Sequence, residues 1–102
     1  MNKELHNKLS ILKERYNVEG FIITGVFGSC ARNEELLESD VDILYELNNT
    51  FYEKYKGFKA ILRLEEIKSE IKSYIGREVD IADKNFLSET SKKYILPEVD
   101  YV

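Results

Sequence analysis

Asp40 and Asp42 are the side chains in this chain best placed to do chemistry together. They lie in the tripeptide Asp-Val-Asp, and ten residues separate them from a Gly-Ser pair, Gly28 and Ser29. The whole stretch reads GSCARNEELLESDVD. On a strand, residues two apart project from one face, so both carboxylates would leave the sheet on the same side. Held that close they repel, and one tends to keep its proton unless a cation intervenes. A divalent cation resolves the conflict and takes oxygen ligands of this type. Gly28 lets the backbone turn sharply and lets a ligand approach the main chain. Ser29 is expected to open a helix whose first free N–H groups point outward, a natural phosphate site. Arg32 would reach that phosphate or brace the loop with its forked donors. Ser39 would steady the turn before the acids. Gly28, Ser29, Arg32 and Ser39 are thus the candidate nucleotide-binding residues. Gly-Ser or Asp-X-Asp alone recurs by chance; all four positions at this spacing, between apolar segments, carry more weight.

The elements around this stretch must hold it in place. Residues 2–16 read as an amphipathic helix, with Leu5, Leu9, Leu12 and Tyr16 along one face. Its His6 is the only histidine in the chain and reads as a solvated helix residue. Phe21–Phe27, FIITGVF, reads as a central strand that delivers the chain to Gly28. Gly25 within it would allow a neighbour to approach closely. Residues 29–37 are expected to form a short helix. Residues 40–47 form the next strand, with Val41, Ile43, Tyr45 and Leu47 on the core face. Asp40, Asp42, Leu44 and Glu46 line the other face. Residues 48–57 read as a loop with a possible helical turn, whose Phe51, Tyr52 and Tyr55 would stack on a base, seal a core edge or meet a partner. Phe58–Ile75 is the longest helix signal, with a broad stripe of Phe58, Ile61, Leu62, Leu64, Ile67, Ile71 and Ile75. Gly76 ends it. In a strand over 78–82, Val79 and Ile81 face the core and Asp80 points the other way. Asp83 would cap the next segment. A last helix over 86–96 would pack Leu87, Tyr94, Ile95 and Leu96 inward. Pro97 stops it, and the tail could add an edge strand.

Composition bounds the answer. The chain has 102 residues, 43% of them hydrophobic and 33% charged, which suits one domain over 1–102 with a modest core. The formal net charge of −4 argues against a nucleic-acid footprint. The single cysteine, Cys30, allows no internal disulfide and fits a cytoplasmic location. Beside the phosphate turn it reads as a small packing residue rather than a reactive thiol. No apolar run approaches the ~20 residues of a membrane span, and the N-terminus lacks the apolar core of a signal peptide.

The segment GSCARNEELLESDVDILYEL resembles the signature of the nucleotidyltransferase superfamily that includes DNA polymerase beta. More closely, it resembles the minimal nucleotidyltransferases often paired with HEPN-domain toxins. GREVDIAD, from Gly76 to Asp83, is similar to that family's third-aspartate strand. The family pattern often has Gly after the Arg, where this chain has Asn33. The resemblance implies an α+β fold: a small mixed β-sheet backed by helices on one side, with the motif loop and acidic strand ends on the open face. It implies Mg²⁺, two ions, held by Asp40, Asp42 and Asp80, with ATP as donor and the same three aspartates as the catalytic residues. Asp80 would act as base toward the attacking hydroxyl. It further implies transfer of AMP to a tyrosine of a HEPN-like toxin, and so an antitoxin role. Related aminoglycoside-modifying enzymes carry a further substrate domain, and a templated polymerase needs a primer-binding domain, so neither is expected here. The alternative is a nucleotide-binding module with weak or no catalysis that neutralises a partner by covering it. The three acids favour the enzyme.

Overall fold

A computed structural model describes residues 1–33 and 40–102. Helix α1, Lys3–Asn17, begins where the Asn2 side chain accepts a hydrogen bond from the Leu5 N–H at 2.8 Å. Its Leu5, Leu9, Leu12 and Tyr16 are all buried, as their spacing requires. Strand β1, Phe21–Phe27, comes next, and β2 is Val41–Leu47. A short helix α2, Asn49–Lys54, and a long helix α3, Phe58–Ile75, lead to β3, Val79–Asp83. Helix α4, Glu89–Ile95, lies between two short 3₁₀ turns, and β4, Asp100–Tyr101, closes the chain.

The four strands form one mixed sheet in the order β3-β2-β1-β4. β1 pairs antiparallel with β2 and with β4, whereas β2 and β3 are parallel. The parallel pair needs a crossover, and α2 with α3 supplies it. One face of the sheet carries the main core. Ile23 and Val26 of β1, Val41, Ile43 and Tyr45 of β2 and Val79 of β3 pack there with the buried residues of α1 and with Ile67, Ile71 and Ile75 of α3. The α+β sheet backed by helices is thus the observed architecture. Leu44, on the opposite face of β2, is also fully buried, although it lies outside that main cluster. Gly25 is pressed against the last strand: a Cβ there would lie 2.3 Å from the Asp100 carbonyl oxygen. The tail is therefore an edge strand fitted to a glycine. Among the described residues, no helix is long and apolar enough to cross a membrane.

Several expectations need correction. The stripe on α3 is buried only toward its C-terminal end. Phe58, Ile61 and Leu62 are 70%, 55% and 52% exposed. The region 48–57 contains a true helix, α2, and its Phe51 is fully buried while Tyr55 is tied to Glu19. Of the three aromatics there, Tyr52 is the exposed one, so the segment mainly seals the core and offers a partner little apolar area. The last helix starts at Glu89 rather than 86, because Ser88 caps it by accepting from the Ser91 N–H at 3.1 Å. Tyr94 is exposed rather than packed inward.

A polar cluster fastens α3 to the turn after α1. The Arg63 guanidinium donates to both Glu19 carboxylate oxygens, at 2.8 and 2.7 Å, and to Glu70 at 3.1 Å. Tyr16 donates to Glu70 from the other side at 2.7 Å. The bond from Arg63 holds the Glu19 carboxyl below its ordinary range, against the opposing effect of burial. A carboxylate with a depressed folded-state pKa adds stability above its unfolded pKa and loses it as pH falls through the folded value. Glu19→Gln should therefore lower unfolding free energy by about 1.5 kcal/mol at pH 7, and by much less below the carboxylate range. Urea denaturation at pH 7 and pH 3 checks this; an equal loss at both would exclude the ionic contribution.

Candidate active site

Parallel pairing of β2 with β3 does most of the positioning. The register sets Asp42 opposite Asp80, between the pairs Val41–Val79 and Ile43–Ile81. Val41, Ile43 and Val79 are buried under the helices, which locks the register by one face. Asp42 and Asp80 then share the other face, because side chains alternate along each strand. Asp42 also lies opposite Phe27, the last residue of β1, so the chain leaving β1 turns beside it. That turn is made at Gly28, with φ 71°. A Cβ at Gly28 would lie 2.6 Å from Asp42 Oδ2. A side chain there would strain the backbone and displace the carboxylate.

The expected helix from Ser29 does not run through the described part of the loop. Residues 28–33 form turns, with the Arg32 N–H bonded to the Gly28 carbonyl at 3.2 Å. Asn33 then adopts φ 58°, in the left-handed region. A right-handed helix cannot continue through such a residue, and Asn is among the few non-glycine types that tolerate it. This is the position where the family pattern often has Gly. Ser29 therefore does not open a multi-turn helix within 28–33, and the case for a phosphate there rests on Gly28 and the turn's N–H groups. The rest of the expected helix, to 37, and Ser39 lie outside the described residues.

Asp40 sits just before β2 and is exposed. It lines a cavity of about 320 Å³ together with Asp80, Glu78 and Glu65 and with Lys68 and Lys72 of α3. The half-buried Asp42 carboxyl is pushed above its ordinary range, first by burial, then by the charge of Asp80, then by that of Asp40. The larger charge effect thus comes from the residue across the strands, not from the one two positions earlier. Among the described residues, no group of three or more acidic, histidine or cysteine side chains is close enough to hold a metal ion. Asp80 instead meets Lys68, Oδ1 to Nζ at 3.5 Å. The sheet register therefore sets Asp42 beside Asp80, while Asp40 and Asp80, but not Asp42, line the cavity. The donor set is all oxygen, and its crowding of like charge is what a hard divalent cation relieves. Arg32 bonds to Glu98 through Nη1 at 3.1 Å, which braces the loop to the C-terminal segment. Cys30 is fully buried in the core, as a packing residue should be.

Sequence reasoning missed Lys68 and Lys72. Their four-residue spacing puts them on one face of a helix, but nothing local said that this face would look onto the acidic strand ends.

Residues 5–99 match the model of the nucleotidyltransferase domain. The chain belongs to the nucleotidyltransferase family. It is 33% identical over 91 residues to protein adenylyltransferase MntA of Thermococcus cleftensis, a match covering 89% of this chain and 81% of that protein. Its fold is similar to the solved structure of a candidate minimal nucleotidyltransferase, with TM-score 0.76 and 22% identity over 98% of this chain and 94% of the other. A structure of a toxin–antitoxin with AMP-PNP also matches, with TM-score 0.61 and 23% identity over 86% of this chain and 64% of that one. The chain is thus a nucleotidyltransferase by family, and its α+β sheet is the fold of these neighbours.

A raised folded-state pKa at Asp42 means that its charge costs stability above the folded value, a penalty that vanishes below the unfolded one. Asp42→Asn should therefore raise the melting temperature of the metal-free protein at pH 7, by roughly 2–6 °C, and leave it nearly unchanged at pH 3. Calorimetry in chelator tests this. A lower melting temperature at pH 7 would show that the carboxylate is not under strain.

Proposed function

We propose that this nucleotidyltransferase, acting as one domain over 1–102 in the cytoplasm, transfers AMP from ATP to a hydroxyl of a HEPN-type toxin. The acceptor would be a tyrosine, and the transfer would make the chain an antitoxin. The observation that carries the reading is the pairing of Asp42 with Asp80 beside a glycine that leaves no room for a side chain. The toxin–antitoxin neighbour with AMP-PNP and the adenylyltransferase relative support the donor and the partner.

Asp40 and Asp42 would hold one Mg²⁺ and Asp80 a second position. When bound, the ions would neutralise these carboxylates and polarise phosphoryl oxygens. Gly28 and the N–H groups of its turn would take the terminal phosphates, with Ser29, Arg32 and Ser39 at the same loop. Asp80 lies on an edge strand and is exposed, so an acceptor on another protein can reach it. There it would accept the proton of the acceptor hydroxyl. That oxygen forms a bond to the α-phosphorus, the bond to the bridging oxygen breaks, and pyrophosphate leaves.

A second reading has one observation in its favour: the described acids are not converged on a metal position, and Asp80 faces a lysine. On that reading the chain is a nucleotide-binding module that silences its partner by complex formation alone.

Asp80→Asn should reduce transfer at least about a hundredfold while weakening ATP binding far less than Asp42→Asn does. Single-turnover rates set beside ATP titrations separate the two; parallel losses of binding and rate would contradict the assigned roles. The two readings part in one experiment. After incubation with ATP, Mg²⁺ and the partner, mass spectrometry should find the partner heavier by AMP, and unmodified when Asp42→Asn replaces the wild type. A stable complex with no modification would leave the binding module standing.

A further inference from the structure

Lys68 stands beside the carboxylate that the proposed reaction uses as its base. Its ammonium lies 3.5 Å from Asp80 Oδ1, and the two side chains are 39% and 68% exposed. One turn further along α3, Lys72 pairs with Glu78 at 2.7 Å. Both lysines line the cavity that also holds Asp40, Glu65 and Asp80. That cavity carries four carboxylates and two ammonium groups, so it remains net acidic and favours a cation over a phosphate. We propose that Lys68 is a positioning residue: in the metal-free protein its ammonium serves as the counter-ion of Asp80, and it must release that carboxylate before a divalent cation can enter. Lys68 thereby sets the cation concentration at which the site assembles. This inference rests on the reading of Asp80 as a metal-site carboxylate.

The pair suits that role. Its separation is long for a charge-assisted hydrogen bond, so it is readily broken. It joins two rigid elements, the middle of α3 and the strand β3, so the ammonium needs only a rotamer change to withdraw. Lys72 is an internal comparison: it has the same charge and the same helix, but its contact is Glu78.

Mn²⁺ binding to the full chain, followed by the electron paramagnetic resonance of the free ion with and without AMP-PNP, reads this directly. Lys68→Met should tighten Mn²⁺ binding about threefold at low salt, and the gain should shrink as salt is raised. Lys68→Arg should stay near wild type, and Lys72→Met should change the affinity less than Lys68→Met. In an Asp80→Asn background, Lys68→Met should give no gain, because the two residues act as a pair. Equal gains from Lys68→Met and Lys72→Met would reduce the effect to general charge and overturn the inference. So would a gain that survives Asp80→Asn. If wild type binds Mn²⁺ and Asp80→Asn weakens it while Lys68→Met changes nothing, the inference fails and the metal site stands. If wild type binds no Mn²⁺ at all, both fail.

Discussion

Two negative charges on adjacent strands, held on the same face by a register they did not choose, are the constraint on which this structure turns. Asp42 and Asp80 face each other because Val41, Ile43 and Val79 must be buried together on the opposite side. The apolar face fixes the pairing, and the pairing forces the acids together. Asp42 is pushed above its ordinary range, first by burial and then by the charges of Asp80 and Asp40. Perturbed carboxylates of this kind cluster at functional sites.

The rest of the molecule can be understood as holding that arrangement open. α1 and α3 take the core face of the sheet, and the turn at Gly28 lies against Asp42. Gly28 brings that turn so close to Asp42 that no side chain fits between. The Arg63 cluster ties α3 to the turn before β1, far in sequence from the acids. Because α3 carries Lys68 as well, the same helix that closes the core also presents a counter-ion to Asp80. Structure and chemistry here share one helix and use different faces of it.

Much of this was legible in the sequence, for identifiable reasons. The four-three-four spacing of Leu5, Leu9, Leu12 and Tyr16 gave α1, and the run FIITGVF gave β1, because both signals are local. The two carboxylates and the Gly-Ser turn were visible as a pattern, and the family resemblance supplied the third aspartate. Three things were not legible. The stripe on α3 showed a helix but not which part of so broad a stripe would face the sheet. At about 100° per residue, Phe58, Ile61 and Leu62 lie roughly 80–180° round the helix from the line of Leu64, Ile67, Ile71 and Ile75, so they stay exposed. The loop after Gly28 looked helical by composition, yet Asn33 turns left-handed. Lys68 became a partner of Asp80 only through a crossover that brings residues distant in sequence side by side.

The central claim is that the paired acids beside Gly28 bind a divalent cation together with a nucleotide. Crystals grown with Mn²⁺ and AMP-PNP test it most directly, through an anomalous difference map. The expected result is manganese density against Asp42 and at least one of Asp40 and Asp80, with the triphosphate at the Gly28 turn and the Lys68 ammonium withdrawn from Asp80. Nucleotide bound elsewhere on the protein, with no manganese at these carboxylates, would contradict it.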